Sequence, residues 1–362
     1  MYSTLATRPT AHEDAIFGVA WTSSGIITLG NDESIKLWDD SDLLNEKMVV
    51  PTRDVGVTTM LAHADRLFTG STEGTIRVLD HTSGLSEINR IQVTPGTAWS
   101  LAYNPKAPDF ITACGMAEIV ATYSIRPTAE DSKTCSDDPK QITKSPENTL
   151  GDDRTQPSIQ YKRIKPNISA IFALHVQYAP HYDRLAVSYR DGVVSIFDPN
   201  VSTAVQEVTI GSHCRKARFS ADGNLLTLAA HDGVLRVFDQ RANSHAAMLK
   251  GHVGPVTDAV FPAVYSEGAY PELILTTGYD GTCRVWDLRG AESLHTFTLD
   301  THPLWEIACI PEGYGKSQKD DITAIAASAS GALRGSVNVT KSCKAAVCSE
   351  AGLLAILNCS ER

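Results

Sequence analysis

One phrase recurs along the chain, and the recurrence constrains the fold more than any single residue does. It is clearest as Thr276-Thr277-Gly278-Tyr279-Asp280-Gly281-Thr282-Cys283-Arg284-Val285-Trp286-Asp287, preceded about 25 residues earlier by Gly251-His252. Aligning copies on an Asp six residues before an aromatic pairs Asp32 with Trp38, Asp191 with Phe197, Asp232 with Phe238 and Asp280 with Trp286. Three eroded copies place Glu73 before Leu79, Ala117 before Tyr123 and Ala351 before Leu357. Alternating apolar residues after a Gly/Asp/Ser turn, at a period near 40, specify one small antiparallel sheet per copy, and such a sheet cannot bury both faces alone. Seven copies predict an all-β, seven-bladed propeller.

The phrase resembles the signature of WD-repeat blades. First strands read as Ile16–Trp21, Trp99–Tyr103, Phe172–Tyr178 and Trp305–Cys309. The last blade offers three strands, at Trp305–Ile310, Lys344–Ser349 and Leu353–Asn358, so Tyr2–Thr7 is expected to supply its fourth and close the ring. Residues 127–157, acidic and without an aromatic, read as a disordered insertion in blade three, and 312–342 as an insertion in blade seven. Without them about 300 residues remain, about 43 per blade against the roughly 40–45 of such repeats. The whole of 1–362 is expected to be one domain.

The His, Asp and Trp of the phrase would suggest catalysis in another fold; here they read as bracing. A buried Asp needs hydrogen-bond partners, and Asp32 with His12 and Asp280 with His252 are the best candidates. Trp38, Asp191, Phe197, Asp232, Phe238 and Trp286 belong to the same structural set.

With 32 basic against 42 acidic residues the net charge is −10, which disfavours a phosphate-binding surface and direct nucleic-acid contact. No stretch approaches the roughly 18 apolar residues of a membrane helix, and Met1–Thr10 lacks the apolar core of a signal peptide. The eight Cys show no Cys-x-x-Cys spacing and read as reduced, buried thiols of the cytoplasm or nucleus. No phosphate loop, nucleophile elbow or metal-ligand cluster is present, so no enzyme, cofactor or metal is expected, and no convergence of acid and base groups.

Function is therefore sought on the face that carries the entry to each first strand. Counting back from the strand ends gives Phe17, Trp99, Leu174, Arg215, Thr257 and Trp305. The residue before each turn Asp, or its equivalent, is Asn31, Thr72, Met116, Arg190, His231, Tyr279 or Glu350. Rigid aromatics with Arg nearby are what protein-binding hot spots are made of. A peptide or helix anchor is the expected ligand.

Ala11-His12-Glu13-Asp14-Ala15-Ile16-Phe17-Gly18-Val19-Ala20-Trp21 and Gly96-Thr97-Ala98-Trp99-Ser100-Leu101-Ala102-Tyr103-Asn104-Pro105, with Asp191–Asp198, Phe219–Gly223 and His302-Pro303-Leu304-Trp305, resemble the WD-repeat subunits of the superkiller (Ski) complex. The resemblance implies a scaffold that binds a tetratricopeptide-repeat protein beside an RNA helicase and assists exosome-linked 3′-to-5′ RNA decay. It implies cytoplasmic location, with some members also serving a nuclear complex on elongating RNA polymerase, the Paf complex. Such a subunit is expected to be monomeric by itself. The resemblance further implies that Asp14, Phe17, Trp99 and Trp305 line the partner groove, with Arg215 and Tyr279 at its rim. The two insertions depart from the family's compact form.

An alternative comes from Trp286-Asp287-Leu288-Arg289 and Phe238-Asp239-Gln240-Arg241. This aromatic-Asp-x-Arg ending resembles the box by which propellers dock on adaptors of cullin-type ubiquitin ligases as substrate receptors.

Overall fold

The computed structural model describes residues 2–40, 44–93, 97–104, 106–115, 120–125, 163–164, 172–181, 183–200, 203–262, 273–309 and 342–360. Residues 127–157 and 312–341 lie outside them. The described strands form seven four-stranded antiparallel sheets arranged as a propeller. Blade one comprises β2 (Ile16–Thr22), β3 (Gly25–Gly30), β4 (Ser34–Trp38) and β5 (Glu46–Pro51). The innermost strands of blades two to six are β6 (Val57–His63), β10 (Ser100–Tyr103), β14 (Ala173–Tyr178), β18 (Cys214–Phe219) and β22 (Val256–Val260).

Blade seven runs from β26 (Leu304–Cys309) through β27 (Ser342–Ser349) and β28 (Leu354–Ser360) to β1 (Tyr2–Arg8), which pairs antiparallel with β28 from Tyr2↔Cys359 to Arg8↔Leu354. The N-terminal strand thus closes the ring as expected, one residue longer than read. β27 begins at Ser342 rather than Lys344, so residue 342 belongs to the blade and not to the insertion.

Alternation along each strand sends its two faces to two different neighbours. In β3, Ile26 packs toward blade seven with Trp21, Trp38 and Leu354, while Ile27 and Leu29 pack toward blade two with Met60, Leu67 and Leu79. The result is seven apolar layers, one between each pair of adjoining sheets. The phrase aromatics face the preceding blade: Trp38 toward blade seven, Phe197 toward three, Phe238 toward four and Trp286 toward five.

The inner edge of each sheet would leave backbone N–H groups unpaired, and side chains of the preceding blade accept several of them. Ser100 Oγ accepts from Val176 N (3.3 Å), Gln177 Oε1 from Phe219 N (2.8 Å), Asp258 Oδ2 from Ile307 N (3.4 Å) and Glu306 Oε2 from Val19 N (3.2 Å). Innermost strands too far apart for a ladder are thereby stitched around the channel.

The described turns before the third strands each hold a left-handed residue. Gly281 takes it in blade six (φ 68°), where a Cβ would collide with the Asp300 carbonyl. Blade one makes the same turn with Glu33 (φ 58°).

Candidate functional site

Six of the seven innermost strands open with an irregularity at the same place. Register shifts fall between Ile16/Gly18, Val57/Thr59, Ala173/His175, Cys214/Lys216, Val256/Asp258 and Leu304/Glu306, leaving Phe17, Thr58, Leu174, Arg215, Thr257 and Trp305 as the extra residues. In blade three, Trp99 N donates to Cys114 O (2.8 Å) beside the Ser100↔Cys114 pair, which puts Trp99 in the equivalent position. A bulge re-aims one side chain and ends regular pairing. Here the bulged side chains gather at one mouth of the channel.

Phe17, Thr58, Trp99, Leu174, Arg215 and Trp305 line a cavity of about 510 Å³ that continues down the channel to His63 and Tyr103. Trp305 is its hub: its ring meets Phe17 edge-on at 6.5 Å and Tyr279 at 5.3 Å, and the Arg215 guanidinium sits 4.3 Å over it. Arg215 reaches across blade six because Thr257 turns inward, donating to Leu304 O at 2.5 Å and meeting Thr277 Oγ1 at 2.9 Å. Burial lowers the Arg215 pKa, opposed by the neighbouring Tyr279 and the Asp258 and Glu306 charges. Trp99 and Tyr279 remain 37% and 38% exposed, whereas Trp305 is half-buried and packs partly on the layer between blades seven and one. Trp305 is therefore more a part of blade packing than the sequence suggested.

Four sequence candidates do not line the cavity: Asp14, Arg190, His231 and Tyr279, of which Tyr279 joins the site through its contact with Trp305. The Asp14 carboxylate accepts from Ala15 N (2.7 Å) and Asn31 Nδ2 (2.6 Å), and these bonds lower its pKa. Arg190 lies 5.9 Å over the Phe172 ring, and His231 sits 5.5 Å from His213. Both are exposed. Met116 lies outside the described residues.

Thr58 and Val253 escaped the sequence reading. Blade two's eroded phrase hides the first, and nothing marks a lone Val beside the His252 brace. Val253 is 89% exposed, and its neighbour Gly254 lies against Tyr279, so it extends the apolar rim over blade six.

Below the rim, acid and base groups do converge, against expectation. Lys216 Nζ bonds Asp258 (3.1 Å) and Glu306 (2.9 Å), while Arg218 grips Asp258 with two bonds of 2.8 Å and reaches Glu306 at 3.1 Å. Burial opposes ionisation of Asp258, but the Arg218 and Lys216 charges outweigh it and hold its pKa well below the carboxylate range. His175 is held well below the ordinary histidine value by burial, then by Arg218 and Lys216. The four charges come from the innermost strands of three blades, Lys216 and Arg218 from β18, Asp258 from β22 and Glu306 from β26, so no local motif announces the cluster. Among the described residues no His/Cys/Asp/Glu group is arranged to hold a metal ion.

The bracing is complete in two blades. In blade one Trp38 Nε1 donates to Thr28 Oγ1 (2.8 Å), Thr28 meets His12 Nε2 (2.7 Å), and His12 Nδ1 meets Asp32 (2.8 Å). Blade six repeats this through Trp286, Thr276, His252 and Asp280 at 2.8, 2.7 and 3.0 Å. A neutral imidazole has one proton; the carboxylate takes it from Nδ1, so Nε2 accepts from the threonine hydroxyl. Burial lowers both histidine pKa values despite the adjoining Asp. Blades four and five end in Phe, which has no N–H to give. There Asp232 bonds Arg236 (2.6 Å), and Asp191 accepts only from Val193 N (3.3 Å) among the bonds seen. Blade two reverses the charges, with Arg77 Nε against Asp54 at 2.5 Å.

The family model described as "WD domain, G-beta repeat" matches residues 3–39 and 243–287. Those two stretches are WD repeats. Both matched repeats begin in the outer strand of one blade and end in the third strand of the next, so the WD repeat and the blade are out of phase by one strand. This offset is why β1 is available to close blade seven. The matches also cover the two blades with complete braces.

Among curated proteins, the WD repeat-containing protein VIP3 of Arabidopsis thaliana is 25% identical over 211 residues, 55% of this chain and 58% of that protein. Pre-mRNA-processing factor 19 of Oryza sativa subsp. japonica is 34% identical over 82 residues, 23% of this chain and 14% of that protein. Nuclear distribution protein PAC1-2 of Uncinocarpus reesii is 35% identical over 82 residues, 23% and 17% respectively. In each case the match spans less than two thirds of the relative's length. With the family-model match, these likenesses are to WD-repeat sequence, and no enzyme family is indicated.

Proposed function

We propose that the chain is a non-catalytic interaction scaffold, the WD-repeat subunit of a superkiller-type complex that holds a tetratricopeptide-repeat protein beside an RNA helicase for exosome-linked 3′-to-5′ RNA decay. In this reading it works in the cytoplasm, with a second role in a nuclear transcription-elongation complex, and acts as one propeller domain without cofactor, metal or direct contact with nucleic acid or membrane. By itself it is a monomer. The observation that carries the proposal is the collar of Phe17, Trp99, Tyr279 and Trp305 around the channel mouth, with Arg215 stacked within it. The sequence resemblance supplies the partner class.

Aromatic hot spots contribute about 2 kcal/mol or more each on truncation. Trp99→Ala combined with Trp305→Ala should therefore abolish co-purification of the tetratricopeptide-repeat protein from native extract while the far-ultraviolet circular dichroism of the propeller is retained. Undiminished co-purification sinks the proposal.

A second reading rests on the opposite face. Arg241 and Arg289 follow the third strands of blades five and six and expose 59% and 61% of their side chains, each lying against the Asp two residues earlier. Two successive exposed arginines fit a ligase-adaptor contact. Arg289→Ala separates the readings: lost adaptor binding supports the receptor, and unchanged helicase-complex binding supports the scaffold.

A further inference from the structure

Arg215 is a cation at the channel mouth that has no ion-pair partner among the described residues. Among the described residues no carboxylate lies within ion-pair distance of it, and its neighbours Asp258 and Glu306 are already gripped by Lys216 and Arg218. Its face is covered by Trp305 and one edge is turned to Tyr279. The rest of the planar donor fork is uncommitted, and that fork matches a carboxylate.

Two more polar atoms on the same cavity wall, Thr58 Oγ1 and Trp305 Nε1, are buried with no hydrogen-bond partner among the described residues. Buried polar atoms left unsatisfied cost free energy, and two around one cavity point to an occupant that satisfies them. The wall thus offers a guanidinium with no carboxylate partner among the described residues, an indole N–H and a hydroxyl to whatever enters. The mouth above them is apolar, with Trp99, Tyr279 and Val253 exposed.

We infer that the mouth of the channel is a carboxylate site, filled by an Asp or Glu side chain that a partner segment carries between bulky apolar residues. The aromatic collar argues for a segment over a free anion, because a small anion would leave the collar uncovered. A cavity of about 510 Å³ has room for the acidic side chain and its immediate neighbours. The inference rests on the scaffold reading and specifies the chemistry its partner must bring.

The test pans the full chain against displayed short random peptides and measures the best Trp99-dependent binder by fluorescence anisotropy. That peptide should carry Asp or Glu beside aromatic or branched residues. Replacing its acid by the amide should weaken binding about 10- to 100-fold, and Arg215→Gln in the protein should do the same. The two losses should not add, since both remove one contact. Trp305→Phe keeps a ring under the guanidinium but deletes the N–H, and should cost about 3- to 10-fold. Thermal melts of each variant verify that the ring is intact.

Trp99-dependent peptides without an acid, or an acid-to-amide change of less than about 3-fold, overturn the carboxylate inference and leave the scaffold reading standing. Acetate or phosphate that displaces the peptide at peptide-like concentration overturns the partner-borne source. If no peptide binding depends on Trp99, both fall.

Discussion

A single threonine in each complete brace holds two side chains that cannot otherwise be satisfied. Thr276 accepts the Trp286 N–H and donates to His252, so Thr276→Val, nearly isosteric, leaves an indole donor and an imidazole acceptor buried without partners. The loss should be about 1–3 kcal/mol in urea unfolding, and the same change at Thr28 should match it. A null result at both would mean the braces contribute nothing to stability. The histidines also set a pH response. His12, His252 and His175 lie below the ordinary value of 6.5 in the folded chain because burial disfavours their charge. The unfolded chain therefore binds more protons below that value, so stability is full above pH 6.5 and declines as pH falls through it. Urea midpoints should drop between pH 7.5 and 5.5, and a flat profile would contradict neutral, buried imidazoles.

At the scale of the element, one strand decides whether the ring is closed. β1 shares no sequence repeat with β26 to β28, yet it covers the outer edge of β28 and contributes Ala6 to the layer with Trp38. Deleting residues 2–8 uncovers that edge. The truncated chain should unfold at lower denaturant and self-associate on size-exclusion chromatography, because an unpaired strand is a template for pairing; a monomer of unchanged stability would show that closure is dispensable. The bulged openings of the innermost strands belong to this scale too. Phe17, Trp99 and Trp305 were legible as a shared position because the repeat aligns them, whereas their outward aim is a product of the bulge, which no residue type encodes. Thr58 occupies the same position and was missed because blade two carries Glu73 and Leu79 where the phrase has Asp and an aromatic.

Across the whole molecule, the channel network joins blades five, six and seven and, through Glu306, the Val19 N–H of blade one. Asp258 is fully buried among two cations. Asp258→Ala leaves Lys216 and Arg218 with Glu306 alone and should destabilise by about 3–5 kcal/mol in equilibrium unfolding, the scale expected when one partner of a buried ion network is removed. Replacing Lys216 and Arg218 by Met in the same background should recover part of the loss; no recovery would mean that Asp258 acts through its backbone bonds alone. What the chain determined by itself was the count of blades, their strand order and the residues that brace them, because these follow from local alternation and from a phrase repeated at a fixed period. The Arg215 guanidinium stacked on Trp305, the charge cluster and the cavity they share were decided only when the ring closed, since each draws on blades far apart in sequence that a repeat pattern treats as equivalent and that closure places across one channel.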